Sequence, residues 1–248
     1  MTLIARWGVL LTLVLALRAG SVQAQEAIAL PTRPGVTQPV LFTAVANPAA
    51  SVLLFPGGFG RVSQSRDNFL VRTVPDFAAL GVNVAVIDAP SDQPGGMSDG
   101  FRMGAEHATD VAAAIVFVRQ RAAVPVWLVG TSRGTISAAS LAARLEQSRI
   151  AGLVLTSTVW SGAIPQVPLE QISVPTLVVH NHDDGCNESP FGGVEAGLAR
   201  LRAAPAKALI AVSGGALRSR ACGALSPHGY LGIEDEVVGP IVAWIKAH

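Results

Sequence analysis

The chain has no excess of charge of either sign, with 18 basic and 17 acidic residues among 248. No basic stripe is therefore available to track a nucleic-acid backbone, and no cationic face to hold an anionic membrane. There is no apolar run long enough to cross a bilayer, which takes ~20 residues. The N-terminal run from Trp7 to Leu17 stops at 11. No internal repeat, low-complexity tract or charge run divides the chain, so one domain with a sizeable core is expected. Cysteine is scarce as well. Cys186 and Cys222 are the two present, and by themselves they do not make a zinc site.

What is there begins with an address. Arg6 precedes the short apolar run, and a polar stretch follows that ends Ser21-Val22-Gln23-Ala24. Small residues at Val22 and Ala24 suit a signal peptidase, so cleavage is predicted before Gln25, with residues 1–24 a signal peptide. The product would be exported, to a periplasm or beyond the cell, with no stable membrane insertion after cleavage. No cysteine lies near the cut, which argues against a lipid anchor. Losing Arg6 and Arg18 leaves 16 basic and 17 acidic residues, still close to neutral. In an exported protein a lone cysteine pair is expected to form a disulfide. Chain-entropy reasoning for a loop of this size gives roughly 3–4 kcal/mol.

Residues 25–39 are rich in Pro, Thr and Gln, lack periodicity and read as an exposed lead-in. The domain proper is expected over 40–248. Short apolar runs predict strands at 40–45, 51–55, 83–88, 126–130, 152–157, 176–180 and 207–212. Helical patterns fall at 68–80 (with Pro75 as a kink or restart), 105–121, 132–145, 194–204 and 234–247. The strands are continuously apolar rather than alternating, as in parallel sheets covered on both faces. Strand-then-helix repetition then gives a doubly wound α/β fold, a mainly parallel sheet of about seven strands flanked by helices. Only about 18 residues separate the strand ending at 157 from the next, too few for a large cap domain. Ligands bind such sheets beyond the C-terminal strand ends.

One of those ends reads Gly130-Thr131-Ser132-Arg133-Gly134, a G-x-S-x-G between strand and helix. The turn is so tight that side chains at the two glycine positions would clash. The serine is held strained, its hydroxyl raised above the sheet at a helix N-terminus. After the strand at 176–180 comes Asn181-His182-Asp183-Asp184, and Ser226-Pro227-His228-Gly229-Tyr230 precedes the last helix. A glycine-rich loop, Pro56-Gly57-Gly58-Phe59-Gly60, follows the strand at 51–55. It is not a phosphate loop, because no G-K-[ST] follows, and the chain carries no G-x-G-x-x-G fingerprint for a dinucleotide.

Together these segments resemble the α/β-hydrolase superfamily over residues 40–248, with its order of serine, acid and histidine. The resemblance implies Ser132 as nucleophile, His228 as base and Asp184 as acid. Asp183 is the alternative acid, because Asn181 stands where the family usually has glycine. It implies oxyanion donors at the N–H groups of Arg133 and Gly58, with Phe59 as the alternative to Gly58. Pro56 replaces a histidine that related enzymes often carry. Among the other histidines, His107 reads as a surface or cap residue, His180 and His182 as braces of the acid loop, and His248 is terminal. A Cys186–Cys222 bond would tether the acid loop to the histidine loop.

The implied activity is carboxylesterase-like: cleavage of an ester or related acyl bond of a small molecule through an acyl-enzyme, without cofactor or metal. Alternatives are a peptidase or thioesterase of the same fold, or a non-catalytic binding protein on the same scaffold. Phe59, Trp160 and Ile164 are candidate pocket walls, and the Pro/Gly-rich segment 88–97 could border the acyl pocket. Arg61, Arg66 and Arg102 are the cations that could meet an acidic substrate. Nothing in the sequence speaks to oligomeric state.

Overall fold

A computed structural model describes residues 24–145 and 149–248. The expected signal peptide therefore lies outside the described residues except for Ala24.

Eight strands form a single sheet: β1 (Glu26–Arg33), β2 (Val36–Thr43), β3 (Ser51–Phe55), β4 (Asn83–Ile87), β5 (Val126–Thr131), β6 (Gly152–Thr156), β7 (Thr176–Asn181) and β8 (Lys207–Val212). Their spatial order is β1-β2-β4-β3-β5-β6-β7-β8. From β4 to β8 every pair is parallel, while β1 and β2 join the edge antiparallel. Strands β3 to β7 are buried along their whole length, which is why their sequences do not alternate.

The helices are α1 (Phe69–Arg72), α2 (Val74–Ala79), α3 (Asp99–Arg102), α4 (Ala105–Arg121), α5 (Gly134–Arg144), α6 (Val194–Arg200) and α7 (Glu234–Ala247). Within each strand successive side chains go to opposite layers. Leu53 and Phe55 pack with Val111, Ile115 and Ile136 of α4 and α5. Val52 and Leu54 pack with Phe69, Phe77, Val237 and Ile241 of α1, α2 and α7. The helix at the centre, α5, is buried at every position from Gly134 to Ala142. Its alanines and serines let it lie close against the sheet and fix where its first turn meets β5.

One expectation needs correction. Residues 25–39 are not a lead-in. They form β1 and the start of β2, paired from Glu26↔Phe42 to Arg33↔Val36, so the folded domain begins near Glu26 and the sheet has eight strands rather than seven. The hairpin turns at Pro34-Gly35, where Gly35 has φ 73°. Ile28 and Leu30 supply the apolar part of β1's inward face, and Thr32 beside them donates to the buried Asp110. Prolines, confined to sheet edges and turns, hide what alternation there is. The pattern at 68–80 is two helices, and Pro75 in the first turn of α2 is the restart expected there. Between β6 and β7 lie only short turns, Ile164–Gln166 and Leu169–Gln171, and no large cap.

Candidate active site

The strand-to-helix turn after β5 is built around close backbone contact. A Cβ on Gly134 would lie 1.9 Å from the carbonyl oxygen of Phe55, and one on Gly130 2.6 Å from the carbonyl oxygen of Gly134. Ser132 between them has φ 52°, a left-handed conformation that costs an L-residue about 1–2 kcal/mol. The turn is held by Ser132 N–H donating to the Thr156 carbonyl at 3.0 Å and by Thr135 N–H donating to the Ser132 carbonyl at 2.9 Å.

The structure brings Ser132, His228 and Asp184 into one line. His228 Nε2 lies 2.9 Å from Ser132 Oγ, and His228 Nδ1 lies 2.8 Å from Asp184 Oδ2. The Asp184 side chain is fully buried and that of His228 nearly so. Asp184 Oδ1 accepts from Cys186 N–H at 2.9 Å. Asp183 turns elsewhere: it is exposed, and its Oδ2 accepts from Gly214 N–H at 2.6 Å.

Three supports around this line were not legible in the sequence. Ser189, fully buried, donates its hydroxyl to Asp184 Oδ2 at 2.8 Å, and its Oγ lies 2.9 Å from His228 Nδ1. Ser157, at φ 43°, donates its hydroxyl to the His228 carbonyl at 2.7 Å. Arg72 of α1 reaches the Gly229 carbonyl and pairs with Glu234 at 2.8 Å. Serines and a surface-spaced arginine carry no pattern that marks them. Tyr230, the one tyrosine of the chain, did offer a signal by standing two residues after His228. Asn181, the departure from glycine, donates to the carbonyls of Gly214 and Pro227 at 2.9 and 3.1 Å. It ties the acid loop to the histidine turn.

The other histidines sort differently from expectation in one case. His180 braces the acid loop through Ser189 O at 2.9 Å, and burial holds it below the ordinary imidazole range. His182 stacks on Phe191 at 3.8 Å. His107 is neither surface nor cap. It is wholly buried against Phe55 and Phe101, neither ring nitrogen has a partner among the described residues, and burial first, then the Arg102 charge, pushes it down to about 3. It is neutral at ordinary pH.

Above Ser132 the loop after β3 turns tightly. Gly60 N–H donates to the Gly57 carbonyl at 3.1 Å, and Gly58 adopts φ 57°. Among the described residues the N–H groups of Gly58, Phe59 and Arg133 have no protein acceptor. The Arg133 side chain pairs with Asp99 at 2.6 Å and lies over the Phe59 ring.

A cleft of about 350 Å³ opens over Ser132 and His228, walled by Phe59, Arg61, Asp67, Phe69, Arg220 and Ala224. Of the expected walls, only Phe59 serves. Ile164 is in the core, and Trp160 packs on Gly193 and Gly197 under α6. The segment 88–97 braces rather than borders the cleft, through Asp88 Oδ1 to Val62 N–H and Met97 N–H to the Phe59 carbonyl, both 2.8 Å. Arg61 faces the cleft, Arg66 does not line it, and Arg102 is buried away from solvent.

The Cys186–Cys222 disulfide is formed, with 4.5 Å between the Cα atoms. It links the acid loop to the long segment that carries His228. Donor atoms of Asp184, Cys186 and His228 lie within 4.8 Å of one another. The cysteine sulfur is bonded to its partner, however, and the other two residues are bonded to each other, so the group offers no metal cradle.

No protein-family model and no curated relative matches the chain. Solved structures do. A cold-adapted esterase from an Arctic intertidal metagenomic library aligns at 19% identity and TM-score 0.67, covering 92% of this chain and 94% of its own. An esterase of Pyrococcus furiosus aligns at 14% and 0.64, covering 90% and 92%. An α/β serine hydrolase of Xanthomonas campestris described as lacking a lid aligns at 16% and 0.64, covering 90% and 94%. The chain has the α/β-hydrolase fold.

Proposed function

We propose that the chain is an exported serine hydrolase that cleaves a carboxylic ester of a small molecule, with Ser132, His228 and Asp184 as its catalytic residues. The observation that carries this reading is the unbroken line Ser132 Oγ, His228 Nε2, His228 Nδ1, Asp184 Oδ2, with contacts of 2.9 and 2.8 Å, at the floor of an open cleft.

The chemistry follows from the line. Asp184 accepts the Nδ1 proton, which leaves the Nε2 lone pair facing the serine hydroxyl. As Ser132 Oγ attacks the ester carbonyl, its proton passes to Nε2, and the buried carboxylate stabilises the imidazolium. The tetrahedral oxyanion is met by Arg133 N–H and by Gly58 or Phe59 N–H. Collapse expels the alcohol with the proton from His228 and leaves an acyl group on Ser132. Water, deprotonated by His228, then releases the acid. The left-handed Ser132 backbone presents the hydroxyl to His228 at the floor of the cleft.

The small cleft and the lack of a cap support a small acyl substrate. The disulfide and the N-terminal signal pattern support export. The solved structures of the same fold include proteins described as esterases. The test is turnover of p-nitrophenyl butyrate by residues 25–248 beside Ser132→Ala. Turnover that falls by at least about 10³-fold in the variant is expected. A folded, oxidised wild type that cleaves no ester of a short-chain panel overturns the reading.

A further inference from the structure

Arg102, at the end of α3, is 1% exposed and forms no ion pair with a carboxylate among the described residues. A buried guanidinium without a counter-charge is costly, and a buried polar group without a partner calls for a reason. Its Nε has no acceptor at all among the described residues. The charged groups that act on it are Asp99 and Arg133, already paired with each other at 2.6 Å. Its two remaining hands are specific. Nη2 donates to the carbonyl of Gly58 at 3.1 Å, and Nη1 donates to Ser137 Oγ at 2.9 Å. The space is kept for it: a Cβ on Gly60 would lie 2.8 Å from Nη2 and 2.5 Å from Met97 Cε.

Those two acceptors sit on the two halves of the oxyanion site. Gly58 belongs to the loop after β3, and Ser137 belongs to α5, whose first turn follows Arg133. The Gly58 carbonyl and the Phe59 N–H share one peptide plane, since a trans peptide is rigid. Gly58 at φ 57° has no side chain to hold that plane. We propose that Arg102 is a positioning residue for the oxyanion hole: by gripping the Gly58–Phe59 peptide and α5 together, it fixes the glycine-loop donor against the Arg133 donor. A peptide whose carbonyl accepts from a cation is also a better N–H donor. The burial of the guanidinium, which pulls it down to about 9, leaves it charged at neutral pH. This inference rests on the proposed serine-hydrolase reading.

The test is steady-state hydrolysis of p-nitrophenyl butyrate, with inhibition by a trifluoromethyl ketone that forms a serine hemiketal, for wild type, Arg102→Met, Arg102→Lys and Ser137→Ala. A misplaced donor is felt in the transition state and not in substrate binding. Arg102→Met is expected to lose kcat roughly 10- to 100-fold at unchanged KM. Its affinity for the ketone should fall in parallel, and Arg102→Lys should recover part of both. Folding of each variant is read by circular dichroism. If Arg102→Met does not fold, Ser137→Ala decides, because it removes one anchor and keeps the charge: a several-fold loss of kcat at constant KM is expected. A folded Arg102→Met with wild-type kcat and ketone affinity overturns the inference alone. So does a folded Ser137→Ala with wild-type kcat where Arg102→Met fails to fold. A folded wild type that hydrolyses no ester overturns the hydrolase reading and this inference with it.

Discussion

The phenol of Tyr230 joins the histidine turn to the neighbouring strand ends: its Oη accepts from Ser157 N–H at 2.9 Å and donates to the Val179 carbonyl at 2.9 Å. Tyr230 is fully buried at φ 57°, and burial raises its hydroxyl well above the ordinary phenol range, so it stays a donor. Because Ser157 in turn donates to the His228 carbonyl, the phenol braces the backbone that carries the imidazole through two hydrogen bonds.

Tyr230→Phe keeps the ring and leaves Ser157 N–H and the Val179 carbonyl with only their own 3.2 Å bond. It is expected to cost about 0.5–1.5 kcal/mol in urea unfolding. It should also lower kcat for p-nitrophenyl butyrate with little change in KM, as His228 loses its fixed place. Wild-type kcat with wild-type stability contradicts the role.

The two adjacent carboxylates should separate cleanly. Asp184→Asn removes the charge beside His228 Nδ1 and presents the wrong tautomer, with an expected fall in kcat of ~10⁴-fold. Asp183→Asn, whose carboxylate holds only Gly214 N–H, is expected to stay within several-fold of wild type. Kinetics of the two variants side by side check this. A reversal would place the acid at Asp183.

The turn around Ser132 was legible because it is local. G-x-S-x-G needs only a turn too tight for Cβ atoms, and at Gly130 and Gly134 a Cβ would meet backbone at 2.6 and 1.9 Å. Buried parallel strands announce themselves as apolar runs, and seven of the eight were anticipated. The eighth, β1, was missed because two inward apolar residues among prolines make too weak an alternation. Ser189, Ser157, Arg72 and Arg102 were missed as supports for another reason. The serines act through a single hydroxyl and the arginines through guanidinium nitrogens that reach carbonyls elsewhere in the chain, and a single serine or arginine has no period to betray it. His107 shows the converse, a polar residue read as exposed that the α4–β3 packing closes over.

The Cys186–Cys222 bond closes a separation of 36 residues. Cys186→Ser with Cys222→Ser is expected to cost roughly 3–4 kcal/mol. At a temperature where the reduced protein still folds, turnover should drop, since the bond links the loops of Asp184 and His228. Unchanged turnover on reduction contradicts the tether.

His107 gives the stability profile an acid limb. Its ordinary value is 6.5 in the unfolded chain and about 3 in the fold. Below 6.5 the unfolded state takes up a proton that the folded state refuses, so stability is full above that pH and is lost as pH falls toward about 3. His107→Phe, beside Phe55 and Phe101, should match or exceed wild-type stability at neutral pH and lose less of it in acid. Urea midpoints on both sides of the ordinary imidazole pKa test this. An equal acid loss in both proteins removes His107 as the cause.

The most direct test of the central claim is reaction of oxidised residues 25–248 with a fluorophosphonate probe, read by intact mass and peptide mapping beside Ser132→Ala. The probe reports an activated serine whatever the native ester is. One adduct, on Ser132 of the wild type and absent from the variant, is the result predicted. A folded, disulfide-intact wild type that takes up no probe, or takes it elsewhere, contradicts the account.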